Sequence, residues 1–218
     1  MKRFGQLILV FGVVAAGFTG TAWAQADRAI GVQGTVGATF GNKADASFGG
    51  EFDYKLNTEW ELFLEAGQMR NVASSQMDDD AQVIATGIGG TADVAEHANY
   101  YNVGIKYLMV PFGGGYTPYV GVGGGAARVT KDVTFAENGQ ELSELQLLSD
   151  YGVQLGADLA GVTVKPMVTV AVGLSRGFGR GFMDVSYRYG LIFSKSGAIE
   201  DDKGLNTQRV QVGIGVRF

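Results

Sequence analysis

The sequence predicts an all-β protein: a closed antiparallel transmembrane β-barrel of eight strands with three long outer loops. Three observations carry that expectation: the strict alternation of the last nine residues, a leader-like N-terminus, and alternating segments whose connections are short and long in turn.

Val210 to Phe218 read Val-Gln-Val-Gly-Ile-Gly-Val-Arg-Phe. Strand side chains change face at every residue, so Val210, Val212, Ile214, Val216 and Phe218 share a greasy face. Gln211, Gly213, Gly215 and Arg217 share a polar or bare one. A soluble sandwich or a lipid-embedded barrel can use such a strand, and the other end of the chain decides between them. Met1-Lys2-Arg3 precedes an apolar stretch from Leu7 to Phe18, then small residues and Ala22-Trp23-Ala24. That is the order of a secretory signal peptide, predicted over 1–24, with mature protein from Gln25. Its greasy core is too short for a spanning helix, and no later stretch approaches about eighteen consecutive apolar residues. An exported chain ending on an amphipathic strand is most simply a barrel of the bacterial outer membrane. The same apolar alternation, Val210 to Phe218, is expected to act as the C-terminal signal read by the barrel-assembly machinery during insertion.

Composition narrows the class. The span 25–218 suits a single barrel domain. The chain has 17 Lys and Arg against 22 Asp and Glu, and the leader holds Lys2 and Arg3 but no acid. The mature balance is therefore 15 against 22, or −7, which argues against nucleic acid as a partner. With no Cys, disulfides and thiolate nucleophiles or ligands are excluded. The 35 Gly lack a collagen period, and many fall at alternate strand positions, where a narrow barrel needs small side chains.

Strands are expected at 28–40, 47–56, 59–72, 98–110, 117–130, 166–176, 181–193 and 206–218. The third sets Trp60, Leu62, Leu64 and Ala66 against Glu61, Glu65 and Gly67. The seventh sets Met183, Val185, Tyr187, Tyr189, Leu191 and Phe193 against Asp184, Ser186, Arg188 and Gly190. Gly123-Gly124-Gly125 blurs the register of the fifth and suggests a bulge. Links near 57–58, 111–116 and 177–180 are short, whereas 73–97, 131–165 and 194–205 are long and 41–46 alone is a short outer link. Short periplasmic turns and longer outer loops are the pattern of transmembrane barrels. Pro111, Pro118 and Pro166 all fall at strand boundaries.

The export signal, the eight alternating strands, Tyr187-Arg188-Tyr189 and the terminal Phe218 together resemble the small outer-membrane β-barrel families related to the OmpA transmembrane domain and OmpX. The resemblance covers 25–218. It implies residence in the bacterial outer membrane and a passive envelope-structural, surface-interaction or adhesion role without catalysis, the alternative being a narrow porin-like channel for ions or small solutes. No peptidoglycan-binding domain is expected after Phe218.

The inward face holds the most informative polar set. Glu51, Asp53, Glu61, Glu65 and Asp184 share the lumen side with Lys55, Lys106, Arg188, Arg209 and Arg217. Five acids facing five bases suggest a salt-bridge network across an interior just wide enough for side chains to fill, since buried ions need partners.

Other motifs read blandly. Gly87-Ile88-Gly89-Gly90-Thr91-Ala92 and Gly121-Val122-Gly123-Gly124-Gly125-Ala126 match a dinucleotide fingerprint, which works only between a strand and a helix N-terminus. Neither opens a convincing helix, so no cofactor is expected. His97, the one histidine, is placed at the end of the long second loop, with Glu96 beside it and no convincing nucleophile. Asp78-Asp79-Asp80 lacks the spaced ligands and Gly of a calcium loop, so no metal is expected. Trp60, Tyr54, Tyr107 and Tyr116 near short turns, and Tyr100, Tyr101, Tyr189 and Phe193 near long loops, suggest two aromatic girdles. Gln140 to Leu148 reads as a short amphipathic helix, and Tyr151 to Val164 as a strand extension or an extra hairpin.

The outer loops are anionic. Loop 41–46 is neutral; 73–97 is −5 through Asp78, Asp79, Asp80, Asp93 and Glu96; 131–165 is −4; and 194–205 is −1. Of the mature −7, the loops carry −10 and the remainder +3. The expected partners are outer-membrane lipid and lipopolysaccharide, the latter through divalent cations, and a possible surface ligand at the outer loops.

Overall fold

A computed structural model describes residues 29–40, 43–156, 159–193 and 204–218. The leader expected over 1–24 and most of the third long loop, 194–205, fall outside these. The described elements are β1 (Ile30–Phe40), β2 (Ala46–Lys55), β3 (Trp60–Met69), α1 (Ser75–Gly87), β4 (Thr91–Leu108), β5 (Tyr116–Glu137), β6 (Gln140–Leu142), α2 (Glu144–Tyr151), β7 (Gly161–Phe178), β8 (Gly181–Ile192) and β9 (Leu205–Arg217). Eight strands form an antiparallel ring, each paired with its neighbours, and β1–β9 closes it with Val32 opposite Val216 and Val36 opposite Val212. The ninth, β6, lies outside the ring as a short hairpin arm on β5.

The closed, alternating barrel of the sequence reading is borne out. Gln33, Glu51, Glu65, Lys106, Arg188 and Gln211 are buried inside, while Val36, Leu64, Val103, Val170, Ile214 and Val216 are exposed outside. A closed barrel leaves no unpaired edge, and a continuous apolar exterior suits lipid. Across Gly123-Gly124-Gly125 the pairing continues without a slip, to Gly104, Val103 and Asn102 on one side and Thr169, Val168 and Met167 on the other. The expected bulge is therefore absent. Gly123 instead gives its space to Phe63, whose ring lies 2.8 Å from where a Cβ would stand.

Strand lengths break the symmetry. β1, β2 and β3 have 11, 10 and 10 residues, close to the ~9–11 that cross a bilayer. β4, β5 and β7 have 18, 22 and 18, so one side of the barrel projects beyond the long-connection end. The β4–β5 ladder runs on to Thr91 opposite Ala136. Asn138 and Gly139, with φ of 50° and 80°, then turn the chain into β6, as Asn-Gly does in a tight hairpin.

Two loop expectations are corrected here. Segment 73–97 holds α1 and the first part of β4. Segment 131–165 holds the end of β5, then β6, α2 and the start of β7 at Gly161. The expected helix at 140–148 is displaced to Glu144–Tyr151, because Asn138-Gly139 commits 140–142 to the hairpin and Ser143 caps the helix. The Ser143 hydroxyl accepts from Gln146 N, and the Gln146 side chain accepts from Ser143 N; Gly152 ends it with φ 67°, a left-handed cap. Of the two readings for 151–164, the strand extension holds from Gly161 onward.

These segments form a folded cap with its own core: Ala73, Met77, Ala81, Ala85, Ile88, Val94, Val133, Phe135, Leu147 and Leu159. Ser74 caps α1 by accepting from Met77 N at 3.3 Å. Met77, Ala81 and Ala85, four residues apart, set its buried face. Where β4 outruns β3, Asn71 continues the sheet: its Nδ2 donates to Val94 O at 3.2 Å, and its Oδ1 accepts from Glu96 N at 3.2 Å. Lys43 Nζ also donates to Val94 O, at 3.1 Å, and binds Asp78 at 3.0 Å. The edge is thus covered, as an exposed ladder must be.

Candidate functional site

Strand parity and stagger place the charged side chains in one connected chain of alternating sign. Arg209 reaches Glu65 at 3.2 Å, and Glu65 reaches Arg188 at 2.8 Å. Arg188 pairs with Glu51, which also binds Lys106. Lys106 reaches Asp53 at 2.7 Å and Glu61 at 3.6 Å, and Glu61 reaches Arg217 at 3.6 Å. Gln33 donates to Glu51 from the β1 side. The structure therefore joins Arg209, Glu65, Arg188, Glu51, Lys106, Asp53, Glu61 and Arg217 of the sequence-predicted charges in ion pairs. Asp184 accepts from the Tyr119 hydroxyl at 3.0 Å, and Lys55 is half-buried opposite Glu61 in the β2–β3 ladder.

Inward aromatic rings partition this network. Lys106 Nζ lies 5.5 Å from the Phe63 ring and 5.2 Å from Tyr119; the guanidinium of Arg188 is 5.6 Å from Phe63, that of Arg209 is 4.2 Å from Tyr100, and that of Arg217 is 4.7 Å from Phe182. Cations over ring faces gain attraction that grows when water is excluded. Tyr100 also donates to Glu65 at 3.1 Å. The lumen glycines make this possible. A Cβ at Gly104 would stand 2.6 Å from Phe63 Cε1, and one at Gly215 would stand 2.6 Å from the Phe182 ring.

Above the charges, towards the cap, the lumen turns apolar: Met69, Val72, Ala98, Tyr100, Ala127, Val129, Met167, Ile192 and Leu205 form one buried cluster. From the short-turn end upward, the interior thus passes from rings and ions to this largely apolar cluster, with Glu96 and Lys165 also buried towards the cap. Buried polar side chains accompany this cluster, among them Ser47, Asn102, Thr169 and Thr207, with Asn102 Nδ2 donating to the Thr169 hydroxyl at 2.8 Å.

The sequence reading did not identify Phe63, Tyr119 and Phe182 as lumen residues, although each has the parity of neighbouring charges: Phe63 lies between Glu61 and Glu65. Tyr100 was expected in the outer girdle and is instead an inward group, 1% exposed. Its even-numbered position in β4 shares a face with Asn102 and Lys106. The remaining girdle residues lie outside, with Trp60 and Tyr107 at 5.0 Å, and Tyr101, Tyr189 and Phe193 exposed at the other end.

His97 is not in a loop. It belongs to β4, opposite Thr130, and points to the outer side because Glu96 and Ala98 are buried inward. Asp78 lies in the first turn of α1, where an acid suits the helix dipole, with Asp79 and Asp80 following it, and Asp78 and Asp93 converge on Lys43. Among the described residues, no group of three potential ligands stands together to hold a metal ion. Gly87 to Ala92 runs from helix to strand, the reverse of a dinucleotide site, and Gly121 to Ala126 lies wholly inside β5.

No protein-family model and no curated protein sequence matches the chain. Among solved structures, it is similar to the N-terminal β-barrel domain of Pseudomonas aeruginosa OprF, with a TM-score of 0.53 and 17% identity over 89% of this chain and 100% of that one. It is also similar to Neisserial surface protein A, with a TM-score of 0.53 and 12% identity over 87% of this chain and 97% of that one. At these identities the likeness concerns architecture: the chain has the fold of the small eight-stranded outer-membrane β-barrels.

Proposed function

We propose that the protein is an integral barrel of the bacterial outer membrane, closed to solutes at rest, that serves an envelope-structural or surface-interaction role through its folded cap. One observation carries this reading: a connected set of buried ion pairs crosses the interior, with inward rings against its cations and a buried apolar cluster between it and the cap. A conducting pore needs a continuous wet path, and an eight-stranded barrel leaves room only for side chains. In this orientation the short turns face the periplasm and the cap faces outward. The leader is removed after Ala24, so membrane-extracted protein begins at Gln25 on N-terminal sequencing. The terminal alternation ending at Phe218 serves recognition by the assembly machinery.

The role is non-catalytic. His97, the one imidazole available to a triad, faces outward beside Thr130, and an activity screen comparing His97→Ala with the unmodified protein tests this. The anionic outer segments favour divalent-mediated contact with lipopolysaccharide; binding unchanged by chelator would count against that contact. The deciding experiment is conductance of refolded protein in planar bilayers. Near-zero current is expected, and large steady channels in the unmodified protein would replace this reading with the narrow-channel one.

A further inference from the structure

The turn between β4 and β5 is unlike the other two short connections. Residues 179–180 simply join β7 to β8, whereas 109–115 form a hook: Met109 N donates to Pro118 O at 2.8 Å, and Phe112 and Tyr116 exchange backbone hydrogen bonds of 2.9 and 3.0 Å. Gly113, Gly114 and Gly115 close it with φ of 50°, 86° and 92°, a run of left-handed conformations that L side chains resist. The hook carries Met109, Val110 and Phe112 outside, Val110 at 85% exposure and Phe112 at 57%. No charged residue occurs between Lys106 and Arg128.

The hook has a fixed direction. Tyr116 shares the lipid-facing parity of Val120 and Val122, and the Phe112 ring lies 6.3 Å from it, so Phe112 continues the apolar exterior beyond the end of the strand. On the adjoining strand, Arg176 shares the parity of Val170 and Val172 and is paired opposite Tyr116. Its guanidinium stacks over the Tyr116 ring at 4.8 Å and donates to the Tyr116 hydroxyl at 3.0 Å; it forms no ion pair among the described residues. A cation held on an aromatic at the edge of an apolar belt, with greasy side chains beside it, matches the layering of a phospholipid: phosphate above, acyl chain below.

We propose that Met109–Tyr116 with Arg176 is an interfacial anchor that binds an anionic phospholipid of the leaflet at the short-turn end. Arg176 meets the phosphate, and Val110 and Phe112 sink at the acyl boundary. This rests on the reading of the barrel as membrane-spanning. Continuity with the lipid-facing belt, and a cation placed at that belt's edge, select lipid over a protein partner.

The test uses the mature protein from Gln25 with Phe112→Trp and Trp60→Phe, refolded into vesicles of phosphatidylcholine with phosphatidylglycerol. Expected are blue-shifted emission, quenching by bromine placed high in the acyl chains, and protection from acrylamide. Brominated phosphatidylglycerol should quench more than the phosphatidylcholine analogue at equal mole fraction, reflecting enrichment of up to about fivefold from one basic side chain near the surface, and Arg176→Gln should abolish that difference. A Val170→Trp control in the same background reports insertion. A water-exposed indole at position 112 with a lipid-quenched one at position 170 overturns the anchor alone. Absence of a phosphatidylglycerol preference, or one that survives Arg176→Gln, overturns the phosphate contact. Water exposure at both positions overturns the membrane-spanning reading as well.

Discussion

Arg188 and Glu51, 137 residues apart in the chain, form an ion pair whose two side chains are both 0% exposed. Each is tied onward, Arg188 to Glu65 and Glu51 to Lys106, so the pair is the midpoint of the lumen network rather than an isolated contact. Removing one member leaves the other buried and uncompensated. Arg188→Met is therefore expected to destabilise the barrel by about 3–5 kcal/mol, measured as a lowered urea midpoint in lipid vesicles. Arg188→Met combined with Glu51→Gln should be less damaging than the sum of the two. Additive losses would mean that the two side chains do not interact.

Phe63 is the ring shared by Lys106 and Arg188, seated over Gly104 and Gly123. Phe63→Ala removes the seal between the cations and opens space beside them. Truncation of a buried Phe costs about 3–5 kcal/mol, and leak current in planar bilayers should rise above that of the unmodified protein. Gly123→Leu should also lower refolding yield, because its side chain would meet the Phe63 ring. Unchanged current and yield in both variants would contradict the ring's role as a stopper.

Ile214 and Val170 face outward near mid-strand, at 62% and 50% exposure, whereas Gln211 is buried inside. Ile214→Arg or Val170→Arg should each cost roughly 2–4 kcal/mol of membrane stability. Gln211→Asn, on the lumen side, should be much milder. Equal folding yields across the three would reverse the assignment of faces.

The cap has a core of its own, so it is expected to fail separately from the barrel. Phe135 is 0% exposed within that core, and Phe135→Ala should cost the cap about 3–5 kcal/mol. Protease should then cut between 75 and 90 or between 138 and 156, while the strands below keep their resistance to unfolding. Loss of the heat-stable barrel in this variant would show that cap and barrel are one cooperative unit. By contrast, Lys43→Met breaks surface pairs with Asp78, half-exposed, and Asp93, almost fully exposed, and should cost under about 1 kcal/mol.

Period-two alternation by itself determined the barrel and its two faces. In a strand the facing of every side chain follows from its position alone, so Arg188, Arg209 and Glu65 were legible as lumen residues, and Val212 and Ile214 as outward ones, without a structure. The same rule reads Tyr100 and Phe63 as inward, but aromatic residues are at home on either side of a membrane barrel, and only the contacts to Glu65, Arg209 and Arg188 give these two their place. The tertiary structure alone decided which ions meet, because partners such as Arg188 and Glu51 depend on the stagger between strands remote in sequence. It also decided the cap. The buried stripe of α1 is largely alanine beside an aspartate run, too weak a pattern to indicate a helix, although Ser74 with Asp78 in the first turn was a start signal. That helix is held by burial of Met77, Ala81 and Ala85 against the extended β4–β5 ladder, a surface that exists only once the barrel has closed and its longest strands stand clear of it.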